Sequence, residues 1–168
     1  MTKSGITRRI DELGRIVVPK EIRYNLGIRD GEPLEIYTEN NNIIIKKYSQ
    51  VENIKDYSKN LCNVIADVCN VDVLVTDREK ILTYTGKKEL EKNKLEEKYK
   101  LLIDNRETYI SDKKENIFGY IGYVYIVPII TSIDCSGLIF IISKEKEEFC
   151  LKLIKLIQKM LIQKLDVA

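Results

Sequence analysis

The 168-residue sequence contains no histidine. Without an imidazole the usual general base is missing and a Ser-His-Asp arrangement cannot be assembled. A mixed Cys/His zinc site is excluded for the same reason. The four cysteines, Cys62, Cys69, Cys135 and Cys150, form no C-x-x-C pair, so the paired spacing of a Cys-only metal site is missing too. Neither G-x-x-x-x-G-K-[ST] nor G-x-G-x-x-G occurs, which removes two common phosphate cradles. No apolar run approaches the roughly 20 residues of a membrane span, and no apolar segment with a cleavage site opens the chain. The expectation is a soluble, intracellular, reduced protein with no cofactor, no metal and no membrane association. An enzyme is the least favoured class.

What is present is a local excess of arginine. Net charge is only +2, but residues 1–24 hold Lys3, Arg8, Arg9, Arg15, Lys20 and Arg23 against Asp11, Glu12 and Glu21. Four of the six cations are Arg, whose planar fork suits phosphate and guanine edges better than an ammonium does. On charge alone, an ordinary solvated face explains this segment equally well.

Residues 1–48 read as a small β-rich unit. Gly5–Ile10 and Arg15–Val18 have strand character around an Asp11–Gly14 turn. Lys20–Leu26 spans two helical turns, with Pro19 at the first helical position, Gly27 just past the end, and Ile22 and Leu26 on the buried face. Residues 33–38 and 42–47 form a hairpin around an Asn-rich turn. Gly14 and Gly31 read as turn residues with positive φ, and Asp11 as a residue that holds an arginine or caps its turn. A unit this small, without disulfide or metal, cannot bury an adequate core alone. Two copies must share one, so a homodimer is expected.

A short connection leads to a second, α+β domain, giving boundaries of 1–49 and 50–168. Ile54, Tyr57, Leu61, Val64, Ile65 and Val68 recur at helical spacing. Strands are expected at 71–76, 81–84, 107–110, 120–130 and 137–142, with a charged solvated helix over 87–103 and Gly119 and Gly122 at a bend. Ser143 should cap a last helix burying Phe149, Cys150, Leu153, Ile154, Leu156, Ile157, Met160, Leu161 and Leu165. That stripe is wide for one sheet, so part of it is free for the first helix or another subunit. Cys62 and Cys69 share a helix face and read as core. Cys135 lies in a loop and is a candidate reactive thiol that nothing nearby activates. Tyr84, Tyr109, Tyr120, Tyr123 and Tyr125 either line a pocket or simply pack.

The run Ser4-Gly-Ile-Thr-Arg-Arg-Ile-Asp-Glu-Leu-Gly-Arg-Ile-Val-Val-Pro-Lys-Glu-Ile-Arg, followed by Leu26-Gly-Ile and Leu34-Glu-Ile-Tyr, closely resembles the AbrB family of transition-state regulators over residues 3–48. In length and domain order the whole chain is similar to members in which an AbrB-type domain precedes a GAF-like sensor domain with flanking helices. The resemblance implies a swapped-hairpin, double-psi-type barrel dimer at the N-terminus. It implies binding of AT-rich double-stranded DNA by Arg8 or Arg9, Arg15 and Arg23, with Lys3 as a phosphate contact. Members often carry a second basic residue beside Arg23, where this chain has Tyr24, which can still hydrogen-bond or stack. The implied protein is a sporulation- or transition-state-type regulator, cytoplasmic and nucleoid-associated. Its C-terminal domain sets a dimer or tetramer and either senses a small effector or serves only assembly. An antitoxin-like protein-binding module and a ligand sensor without DNA binding remain as rivals.

Overall fold

The computed structural model describes residues 5–85, 93–132 and 134–166. Two compact units divide the chain, Met1–Tyr48 and Ser49–Ala168.

In the first unit, Pro19 is the N-cap of α1 (Lys20–Leu26), one residue earlier than its expected place, and Gly27 closes the helix at φ 61°. The Gly27 and Ile28 N–H groups donate to the carbonyls of Tyr24 and Arg23, which satisfies two orphan acceptors of the last turn. Strands β1 (Leu34–Glu39) and β2 (Asn42–Lys47) pair antiparallel. Asn40 and Asn41 both take positive φ, as a two-residue turn matching strand twist requires. The segments 5–10 and 15–18 are not strands within the single chain. A strand exists only against a ladder partner, and one copy supplies none. No described residue before Tyr48 is buried. Leu26 is 56% exposed, so the Ile22/Leu26 face of α1 is not the buried face its spacing suggests, and Ile36 and Ile43 are 65% and 67% exposed.

The second unit opens with the one-turn α2 (Gln50–Asn53) and α3 (Lys55–Cys69). Five strands follow in sheet order β4-β3-β8-β7-β5, formed by β3 (Asp72–Thr76), β4 (Ile81–Tyr84), β5 (Tyr109–Ile110), β7 (Tyr120–Ile130) and β8 (Cys135–Ser143). The short β6 (Glu115–Ile117) pairs β7 off this path, and every pairing is antiparallel. Helix α4 (Glu97–Asn105) covers one sheet face; α3 and α5 (Glu148–Leu165) cover the other. With both faces covered, β7 and β8 are apolar almost throughout instead of alternating.

Several expectations are corrected here. Of the charged helix expected over 87–103, residues 87–92 lie outside the described residues, Lys94 bridges Lys80, and the described helix runs Glu97–Asn105. The expected strand 107–110 shrinks to Tyr109–Ile110. Ser143 caps nothing: β8 runs through it and α5 begins five residues later. The start of α5 is held from β7, where the Tyr125 hydroxyl bonds both the N–H and the carbonyl of Glu147 at 3.1 Å. Phe149 and Leu156 are about half exposed and Met160 only half-buried, so the stripe on α5 exceeds what its own sheet covers. Gly119 turns the chain at φ 88°, but Gly122 lies inside β7, where a Cβ would collide with the Ser143 backbone.

Candidate nucleic-acid interface

Arg15 follows the Gly14 turn. Asp11 Oδ1 accepts the backbone N–H of Leu13 (3.0 Å) and of Arg15 (2.8 Å), while Oδ2 accepts Arg15 Nε at 2.7 Å. One carboxylate thus closes the turn and orients the guanidinium. Those backbone and side-chain bonds from Arg15 hold the Asp11 carboxyl below its ordinary range. Arg15 stays 73% exposed.

On α1, Lys20, Arg23 and Tyr24 fall at i, i+3 and i+4 and share one face, opposite Ile22 and Leu26. Arg23 Nη1 donates to Asp30 Oδ1 at 2.6 Å, and Tyr24 is 83% exposed. Arg8 and Arg9 are exposed on the extended segment and enter no ion pair among the described residues. Lys3 lies outside the described residues. The structure therefore ties Arg23 to Asp30 and Arg15 to its own turn, and leaves Tyr24 exposed. Lys20 shares a helix face with Arg23 and Tyr24, as its spacing requires. Nothing in the spacing pointed to Asp30.

The second unit offers no comparable convergence. Of the five tyrosines, Tyr125 and Tyr123 belong to the α3/α5 side of the sheet and Tyr84 and Tyr120 to the α4 side, while Tyr109 is exposed. They do not meet in one pocket, because strand alternation sends them to opposite faces. Cys135 opens β8 rather than a loop, is 1% exposed, and has its thiol pKa raised by burial, which suits an inert thiol. Cys62 is buried and pushed up to about 12 by burial; Cys69 is only half-buried. No described helix is long and apolar enough to cross a membrane.

Comparison with known proteins places both units. Residues 53–165 match the family model "Stage V sporulation protein T C-terminal, transcription factor", and residues 7–53 match "Antidote-toxin recognition MazE, bacterial antitoxin". The chain is 34% identical over 155 residues to stage V sporulation protein T of Bacillus subtilis (strain 168), covering 87% of each. It is 52% identical over 48 residues to transition state regulatory protein AbrB of the same organism, covering 29% of this chain and 50% of that one. A crystal structure of a methyl-accepting chemotaxis protein, residues 122 to 287, superposes with TM-score 0.52 at 12% identity, over 69% of this chain and 92% of that one.

Proposed function

The chain belongs to the stage V sporulation protein T family of transcription factors, and from that premise we propose that it is a DNA-binding regulator of the sporulation or transition-state type whose N-terminal units read DNA as a swapped-hairpin dimer. The observation that carries this reading is the absence of any buried residue among the described residues of the first unit, beside exposed Arg15 and Tyr24 and half-buried Arg23. Uncovered Ile36, Ile43 and Leu26 require a second chain to close a core. A twofold pair then presents each arginine twice, spaced for successive grooves.

Each phosphate neutralised by Arg8, Arg9, Arg15, Arg23 or Lys3 releases counterions, so affinity falls steeply with salt. AT-rich DNA is favoured through its sequence-dependent groove shape and step flexibility rather than through a sharp base consensus. The protein acts in the cytoplasm, on the nucleoid. It performs no catalysis.

The C-terminal, GAF-like unit sets the assembly. Tyr57, Leu61, Val64 and Val68 repeat along α3 at i, i+4, i+7 and i+11, and Val64 and Val68 are 61% and 78% exposed. On α5, half-exposed Phe149 and Leu156, with half-buried Met160, add a second, partly uncovered stripe. The two helices lie on the same sheet face, with Lys164 of α5 over the Tyr57 ring of α3. This pattern suits a helical bundle between copies. A small effector acts on such an assembly only by binding two of its arrangements unequally.

The match of residues 7–53 to the antitoxin model favours a second reading, a protein-binding module. Residues 49–168, folded with two hydrophobic cores, are unlike the extended tail that such a module would use.

The test is fluorescence anisotropy of the full chain on an AT-rich duplex across a salt series, comparing wild type with Arg15→Ala and Arg23→Ala. Steep salt dependence in the wild type, reduced in both variants, is the expected outcome. Absence of wild-type binding at low salt, or equal binding by the variants, would overturn the reading in favour of a protein partner or a pure sensor.

A further inference from the structure

We propose that Asp11 is the positioning residue through which Arg15 recognises DNA; the inference rests on the DNA-binding reading of the N-terminal unit. An acidic residue inside a DNA-binding surface normally counts against affinity, because it repels phosphate. Asp11 has a geometry that reverses this. Its Oδ1 is fixed by two backbone N–H groups, those of Leu13 and Arg15, so the carboxylate cannot swing. Its Oδ2 takes, among the described residues, only the Nε–H of Arg15. A guanidinium carries five N–H donors in a planar fork. Engaging Nε alone fixes the plane of that fork and leaves both Nη groups unspent.

Arg15 is 73% exposed, so its long side chain would otherwise sample many rotamers and lose them on binding. Holding the fork beforehand removes part of that cost. The free Nη pair is the edge that meets two acceptors at once, two phosphate oxygens or the O6 and N7 of a guanine. Arg8 and Arg9, with no acid partner among the described residues, have no such preparation. Positioning and simple charge therefore predict opposite signs when the Asp11 carboxylate is removed. Loss of charge alone tightens binding to a polyanion; loss of positioning weakens it.

The experiment uses the full chain and one AT-rich duplex, with Asp11→Asn, Asp11→Glu, Arg15→Ala and the double variant D11N/R15A. Asparagine keeps an oxygen for the two backbone N–H groups but offers Arg15 Nε no carboxylate, so D11N should melt like the wild type. Glutamate keeps the charge and displaces it by one methylene. D11N and D11E should each bind about tenfold more weakly, near the low end of what one aligned bidentate contact contributes. D11N/R15A should bind no more weakly than R15A. Binding by D11N as tight as wild type or tighter would overturn the proposal, as would a D11N loss of equal size in the R15A background. Wild-type-like binding by D11E would also overturn it, and this holds even should D11N fail to fold. DNA binding that R15A leaves intact would defeat the role of Arg15 while sparing the regulator reading. Absence of all wild-type binding would defeat both.

Discussion

Gly137 of β8 lies against Thr76 of β3 so closely that a Cβ at 137 would overlap the Thr76 carbonyl oxygen. The obstacle is backbone, and it sits where β8 leaves its pairing with β3, so it cannot rotate away. Gly137→Ala should therefore force the two strands apart at the centre of the sheet. The expected cost is about 1–3 kcal/mol or more, the range of overpacking in a close-packed interior. A calorimetric scan should show a lower transition for the C-terminal unit; an unchanged midpoint would contradict the close approach.

Arg78 joins three elements that are distant in sequence. Its Nη1 donates to Asp134 Oδ2 at 3.1 Å and to the Cys135 carbonyl at 2.8 Å, and Nη2 to Asp104 Oδ1 at 2.7 Å. The side chain is 27% exposed, so water replaces these bonds poorly. Arg78→Ala should lower stability by about 1–3 kcal/mol. Arg78→Lys should recover little, since a single ammonium cannot reproduce the fork. Denaturant titration of the full chain checks both values.

Alkaline pH should destabilise the protein through its buried thiols. Burial pushes Cys62 up to about 12 and also raises Cys135 and Cys150. An unfolded thiol ionises near about 8.5, so above that pH the unfolded chain releases protons that the folded chain keeps. The contribution of each thiol is complete below its unfolded value and is lost as pH rises, for Cys62 through about 12. Melting temperature should fall between pH 8 and pH 10.5, and Cys62→Ala should flatten that fall. Identical slopes for the two proteins would count against the assignment.

The parts legible in the sequence were those determined by local chemistry. Gly27 ends α1 and the Asn40–Asn41 pair closes the hairpin because these residues accept positive φ. The family of the N-terminal segment was legible because its motif is long, and the Asp11–Arg15 contact because an acid four residues before Arg15 across a glycine turn can reach it. The parts that escaped depend on distant partners. Ser143 resembles a helix cap, yet pairing with Tyr123 on β7 keeps it in the sheet, and Tyr125 decides where α5 begins. Segments 5–10 and 15–18 have strand chemistry without a strand, because no segment among the described residues pairs with them in a ladder. Asp30 reaches Arg23 from seven residues away across a turn, where no spacing rule applies.

The hairpin tests the need for a second chain. Ile43 is 67% exposed on β2 and faces the same way as Ile36 and Ile45. Ile43→Asp should abolish DNA binding while the melting transition of the C-terminal unit persists. Retained binding by this variant would show that the hairpin face is not part of the shared core.

A matching test addresses the other unit. Val64→Glu with Leu156→Glu places charge on both uncovered helix stripes. Light scattering of the full chain should report an assembly with half as many copies, and each unit should keep its secondary structure by circular dichroism. An unchanged mass would remove α3 and α5 from the assembly interface.

A reading head that keeps no interior of its own responds to how many copies surround it. In the proposed dimer, closing that core is a second-order event, so the concentration of dimer able to grip DNA rises with the square of free chain at low abundance. Tethering through α3 and α5 would alter that law by holding two heads near each other at high local concentration. Synthesis and proteolysis of the chain would thereby act as a sharper on–off control than occupancy of a preformed monomer would allow.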